Sequence, residues 1–136
     1  MTKLTFQARF DFLNDIREFV ARIARQGGFS EKEIYSLQLA ADEAATNIIE
    51  HACADLPNAN FDVTCEMRGN TLMIIMHDMG APFDPAAIQP PNLTADLSAR
   101  KIGGLGLYLM HKLMDEVHYT PNSKTGNVLT MLKHRG

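Results

Sequence analysis

The sequence predicts an α+β two-layer sandwich, a mixed but mostly antiparallel sheet with helices on one face. Three observations carry this expectation. Strand-like runs meet at tight turns, Gly69-Asn70 and Asn122–Gly126, so they read as hairpins. Two helical stretches follow one another before the first hairpin, instead of alternating singly with strands. The length of 136 residues, without repeat or linker, suits a single domain over 1–136 with one core.

The elements follow in order. Residues 3–9 alternate in polarity and predict a first strand. Phe12, Leu13, Ile16, Phe19, Val20 and Ile23 recur at helical spacing, and Gly27-Gly28 ends that helix. Ser30-Glu31-Lys32-Glu33 is a capping-box pattern, so a second helix starts there. Its apolar stripe is Ile34, Leu37, Ala41, Ala44 or Ala45, Ile48 and Ala52, and Pro57-Asn58 breaks the chain after it. Phe61, Val63 and Cys65 alternate with polar residues, and Thr71–His77 supplies the partner strand. Residues 79–102, with four prolines, form a long connection of the kind that serves as a lid. A third helix opens at Gly103 and keeps its period through Leu107, Met110 and Leu113-Met114. Strands over Glu116–Thr120 and Val128–Lys133 complete the sheet.

Composition narrows the function. The formal charge is −3 with no basic block, which argues against nucleic acid as a direct partner. No apolar run approaches the roughly 20 residues of a spanning helix, and the first residues lack a signal-peptide core. Cys53 and Cys65 lack metal-ligand spacing and read as reduced, partly buried thiols, so a cytoplasmic protein is expected.

Three short segments can carry chemistry. Glu43 and Asn47 are four residues apart on the second helix, so their side chains point the same way, with His51 one turn further. A carboxylate there can take a proton from an attacking hydroxyl, and an amide oxygen suits Mg²⁺. Taken alone, the pair also reads as a solvated helix edge. Asp78 ends the run Leu72–His77 and can receive an amino group such as adenine N6. Gly80 lets the backbone approach a flat base, with Pro82 and Phe83 as stiffening walls. By itself, Asp78-Met-Gly80-Ala-Pro82 is also an ordinary strand-ending turn. Gly103-Gly104-Leu105-Gly106-Leu107 opens a helix, where unshielded N–H groups favour phosphate. Its glycines are too close for a Rossmann fingerprint, and no Gly-Lys-Ser/Thr ending makes a Walker loop. Arg100 and Lys101, just before it, can add positive charge at a γ-phosphate, or form a solvated basic pair.

Together these segments resemble the GHKL superfamily of ATP-binding domains. The N-box is Asp42-Glu43-Ala-Ala-Thr-Asn47-Ile-Ile-Glu-His51. The first glycine box is Asp78-Met-Gly80-Ala-Pro82-Phe83-Asp84, and the second runs Gly103-Gly104-Leu105-Gly106-Leu107-Tyr108. The Pro-Phe-Asp-Pro ending and the Met114-Asp-Glu-Val-x-Tyr119 tail are similar to the bacterial anti-sigma-factor serine kinase group. That resemblance covers nearly the whole chain. It implies ATP and Mg²⁺ as cofactors, Glu43 as general base, Asn47 as metal ligand and Asp78 as reader of the adenine amino group. Gly80 would lie under the base, and Gly104 and Gly106 along the phosphates. It also implies a sigma factor and an anti-sigma antagonist as partners, phosphorylation of a serine on the antagonist, and a homodimer. Two departures stand out. Arg100 lies further from the second glycine box than the family's lid arginine. Asn127 stands after Gly126 where the family often has threonine, and Thr130 is carried as its substitute. The alternative from the same residues is a non-catalytic, nucleotide-dependent partner-binding module.

Overall fold

A computed structural model describes residues 1–56, 58–82 and 109–136. Predictions for Pro57, Phe83, Arg100, Lys101, Gly103, Gly104, Leu105, Gly106 and Leu107, and for nearly all of the 79–102 connection, fall outside the described residues.

The described chain begins with β1 (Thr2–Gln7), then a 3-10 turn (Phe10–Phe12) and helix α1 (Leu13–Gln26). Helix α2 (Glu31–Asn47) follows and passes directly into a π-helical turn (Ile48–Ala52). The hairpin β2 (Asn60–Arg68) and β3 (Thr71–Asp78) comes next. Residues 109–113 are helical, and β4 (Glu116–Thr120) and β5 (Asn127–His134) close the chain. The five described strands form one sheet in the order β1-β2-β3-β5-β4. Each neighbouring pair is antiparallel, so the mixed sheet expected from sequence is antiparallel throughout the described strands.

Local chemistry accounts for the element ends. Ser30 Oγ accepts from Glu33 N at 3.2 Å, and the Glu33 carboxylate accepts from Ser30 N at 2.8 Å, so the predicted capping box forms. Glu33 also accepts from Gly136 N at 2.8 Å, which ties the start of α2 to the last residue. Gly69 takes φ +59 in the β2–β3 turn, a conformation that favours glycine.

Strand alternation sorts the side chains. Phe61, Val63 and Cys65 of β2, Leu72, Ile74 and Met76 of β3, and Leu129 and Met131 of β5 face the helices. Ile16, Phe19 and Val20 of α1 and Ile34, Leu37, Ala41, Ala44 and Ala45 of α2 meet them. Complete burial of each large side chain contributes about 1.5–3 kcal/mol. The alanines of α2 let its backbone lie close to the sheet, which matters because α2 carries Glu43 and Asn47. Met110 and Met114 are buried in the same core, as expected for gap-filling methionines.

Candidate functional site

Asp78 is the last residue of β3, and the alternation that buries Leu72, Ile74 and Met76 carries it to the helix-covered side. It is 5% exposed. Its Oδ1 accepts from Gly80 N at 2.8 Å and from Asn127 Nδ2 at 3.0 Å. Asn127 is fully buried at the start of β5, directly across the ladder from Asp78. Its Nδ2 donates a second bond to Gly80 O at 2.9 Å, and its Oδ1 accepts from Asn122 N at 3.2 Å. The turn before it is held by Asn122 Oδ1, which accepts from Lys124 N and Thr125 N. Gly126 takes φ +97 there, and a Cβ on it would lie 2.7 Å from Asp78 O.

A narrow cleft of about 10 Å³ lies beside Asp78. Its described lining is Ala44 and Asn47 of α2, Ile48 and Ala52 of the π-helical turn, Met110, Tyr119 of β4 and Leu129 of β5. Lys133 helps to position Met110, because its Nζ donates to Leu113 O at 2.9 Å and anchors the end of the 109–113 helix. Asn47 is the unusual member of this wall. Its Nδ2 is buried without a hydrogen-bond partner among the described residues, and leaving such a group unpaired costs about 1–3 kcal/mol. An amide held in that state fits a group that supplies polar atoms to it. Turned over, the same amide offers its oxygen to a cation.

Glu43 lies one turn before Asn47 on α2 and is half-buried. Burial, followed by the charges of Asp42 and Glu50, holds its carboxyl above the ordinary carboxylate range. Asp42 itself turns toward α1, where Arg17 donates to its Oδ1 at 2.5 Å. The carboxylate of Glu43 makes no hydrogen bond among the described residues.

Three predicted residues are not part of this cleft. His51 is exposed, although spacing put it one turn below Asn47. The reason is the π-helical turn: Cys53 N bonds to Ile48 O at 2.8 Å, an i to i−5 closure that inserts one residue. Ala52 therefore takes the place beneath Asn47, and its carbonyl accepts from Ala81 N at 2.8 Å. Thr130 stands on the opposite face of the sheet, because β5 alternates and Leu129 is the residue that reaches the cleft. It pairs there with Ile75 and His118. Pro82 is exposed and does not line the cleft. Gly80 is where the sequence placed it, yet the backbone it approaches is α2's end: a Cβ would lie 2.1 Å from Ala52 O.

In the sequence Asn127 stands out only as a missing threonine, Ala52 as part of an apolar stripe and Tyr119 as part of the tail motif; the structure adds Ala52 and Tyr119 to the cleft wall and Asn127 to the hydrogen bonds of Asp78. The inward alternation of Leu129 and Met131 does point Asn127 to the Asp78 side, and that signal was legible.

A family model described as a histidine kinase-like ATPase domain matches residues 6–133. The chain belongs to that family. It is similar to the serine-protein kinase RsbW of Bacillus licheniformis, 35% identical over 93% of this chain and 80% of the relative. RsbW of Bacillus subtilis is 32% identical over 93% of this chain and 81% of the relative. Among solved structures, the RsbU and RsbW domains of a Mycobacterium tuberculosis protein superimpose with a TM-score of 0.67 at 14% identity, covering 99% of this chain and 33% of that one. A histidine kinase domain from Erythrobacter litoralis gives 0.60 at 17% identity, over 92% of this chain and 60% of that chain. These two likenesses bear on the fold. A histidine kinase-like ATPase domain places this chain among nucleotide-using proteins, as the Asp78 and Asn47 segments implied.

Proposed function

We propose that this histidine kinase-like ATPase domain is an ATP-dependent protein serine kinase of the RsbW type, acting as an anti-sigma regulator. The observation that carries the reading is the meeting of Asp78 and the unpartnered Asn47 amide in one cleft, with Glu43 one turn away. Asp78 Oδ2, free of hydrogen bonds among the described residues, accepts from the exocyclic amine of adenine. Asn47 would hold Mg²⁺ through its amide oxygen, the kind of hard ligand that ion favours. When bound, ATP with Mg²⁺ supplies an activated phosphoryl group and its charge neutralisation. Glu43, whose carboxyl burial holds above the ordinary carboxylate range, receives the proton of the attacking serine hydroxyl. Arg100, Lys101 and the 103–107 glycine segment, with Gly104 and Gly106, are assigned to the phosphates by resemblance, and Phe83 to the base.

The partners in this reading are a sigma factor, held inactive, and an antagonist protein that carries the acceptor serine. No helix among the described residues is long and apolar enough to cross a membrane, which is compatible with the cytoplasm where a sigma factor works. The reading includes a homodimer. β1 is an edge strand, and a groove of about 620 Å³ between it and α1 is floored by Leu4, Phe6 and Phe19. Asp15 and Glu18 line the same groove with Arg22 and Arg25, so it carries both signs of charge, which a second copy docked about a two-fold axis can pair. Leu4→Asp should then lower the mass measured by sedimentation equilibrium.

Incubation with radiolabelled Mg-ATP and an anti-sigma antagonist protein from the same organism tests the activity. Transfer to an antagonist serine, lost in Glu43→Gln with nucleotide binding retained, is the expected result. Equal transfer by Glu43→Gln would overturn the assigned base. Binding of ATP without transfer by the wild type would favour the non-catalytic module.

A further inference from the structure

We propose that Asn127 is a positioning residue that pins the Asp78 carboxylate, and thereby sets selection for a 6-amino over a 6-oxo purine. This deepens the proposed function and rests on its reading of Asp78 as the base-recognising group.

The geometry is specific to this side chain. Both Nδ2 protons of Asn127 are committed, one to Asp78 Oδ1 and one to Gly80 O. Its Oδ1 is committed to Asn122 N. The amide therefore has no donor left for a ligand and acts through Asp78. Its orientation is also determined. If it were flipped, Oδ1 would face the Asp78 carboxylate and Nδ2 would face the Asn122 N–H, with like groups opposed at both ends. The Asn122 turn, closed by Gly126 N donating to Asn122 O at 2.9 Å, presents that N–H in a fixed place.

The consequence falls on Asp78. Gly80 N and Asn127 Nδ2 together fill the lone-pair positions of Oδ1 and stop the carboxylate from rotating about its terminal bond. Oδ2 is then the oxygen left to address a base. A fixed, desolvated acceptor rewards a purine carrying an amino group at C6 and repels one carrying a carbonyl there. With Gly80 N as its only partner, the carboxylate could swivel and meet a 6-oxo purine through water.

Fluorescence competition measures affinity for ATP and for inosine triphosphate in four proteins: wild type, Asp78→Asn, Asn127→Ala and Asn127→Ser. The expected result is a clear ATP preference in the wild type, abolished in Asp78→Asn. Asn127→Ala should shrink the preference by roughly 10-fold or more, the scale of one charge-assisted hydrogen bond. Asn127→Ser, which keeps a polar hydroxyl donor, should fall between. A purely structural role lowers the active fraction and affects both nucleotides alike, so the ratio separates the two. If Asn127→Ala does not fold, the ratio in Asn127→Ser decides. An unchanged ratio in the folded Asn127 variants, with Asp78→Asn impaired, overturns this inference and leaves the reading of Asp78 standing. No ATP preference in the wild type, or an unchanged ratio in Asp78→Asn, overturns that reading itself.

Discussion

The carbonyl oxygen of Ala52 accepts a hydrogen bond from Ala81 N at 2.8 Å, and this joins the end of the π-helical turn to the segment leaving β3. The contact couples the wall that carries Asn47 to the strand end that carries Asp78. It also explains Gly80 without reference to a ligand, because a Cβ there would sit 2.1 Å from the same oxygen. Gly80→Ala should destabilise the fold by about 1–3 kcal/mol, since the obstacle is backbone and not a flexible side chain. Urea unfolding of the variant gives the value. Unchanged stability would mean that the π-helical turn yields easily.

Glu43→Gln should separate stability from activity. The sign follows from the direction of the shift. A carboxyl held above its unfolded value favours the protonated form, so its contribution is fully present below the unfolded pKa and is lost as pH rises through the folded one. At pH 7 the ionised Glu43 is therefore a small liability that a neutral amide removes. Melting curves should show Glu43→Gln slightly more stable than wild type near pH 7, with the difference closing in acid. Phosphotransfer should fall by about 10²–10⁴-fold, the usual cost of losing a general base. A variant less stable than wild type at pH 7 would contradict the assigned environment.

Asp78→Asn should weaken ATP binding by roughly 10–100-fold, because an amide N–H then faces the amino group of the base. The amide oxygen can still accept from Gly80 N and Asn127 Nδ2, so the fold should persist. Isothermal titration with ATP, alongside a melting curve, distinguishes lost recognition from lost structure.

Arg135 fastens the chain end. Its guanidinium donates to Gly27 O at 2.8 Å and to Asn70 Oδ1 at 2.9 Å, and its backbone N donates to Asn70 O at 2.7 Å. Arg135→Ala removes the two side-chain bonds at an exposed site and should cost about 1 kcal/mol. Nucleotide affinity should be unchanged, since none of these partners lines the cleft. Thermal melting and a binding isotherm on the same sample check both halves.

The two cysteines are free and buried. Burial pushes the Cys65 thiol up to about 12. Cys53 is raised by burial and then by the charge of Asp78. Both should react slowly with Ellman's reagent in the native protein and rapidly in urea, because the thiolate is the nucleophile. Fast native labelling of Cys65 would show that the β2 core opens readily.

The sequence by itself determined what depends on neighbours along the chain. Periodicity located α1, α2 and the β2–β3 hairpin, the Ser30–Glu33 capping box marked a helix start, and an apolar run ending in a carboxylate singled out Asp78. The spacing of Glu43 and Asn47 holds because both lie within the regular turns of α2. Only the tertiary structure decided what depends on distant segments. His51 leaves the site because the turn from Ile48 to Ala52 is π-helical, and Ala52 there meets Gly80 and Ala81. Thr130 leaves it because a strand sends successive side chains to opposite faces. Asn127 enters it because antiparallel register sets it across from Asp78, 49 residues away in the chain. Short-range periodicity is written in a sequence, whereas the partner of a buried polar atom is fixed only when the strands pair.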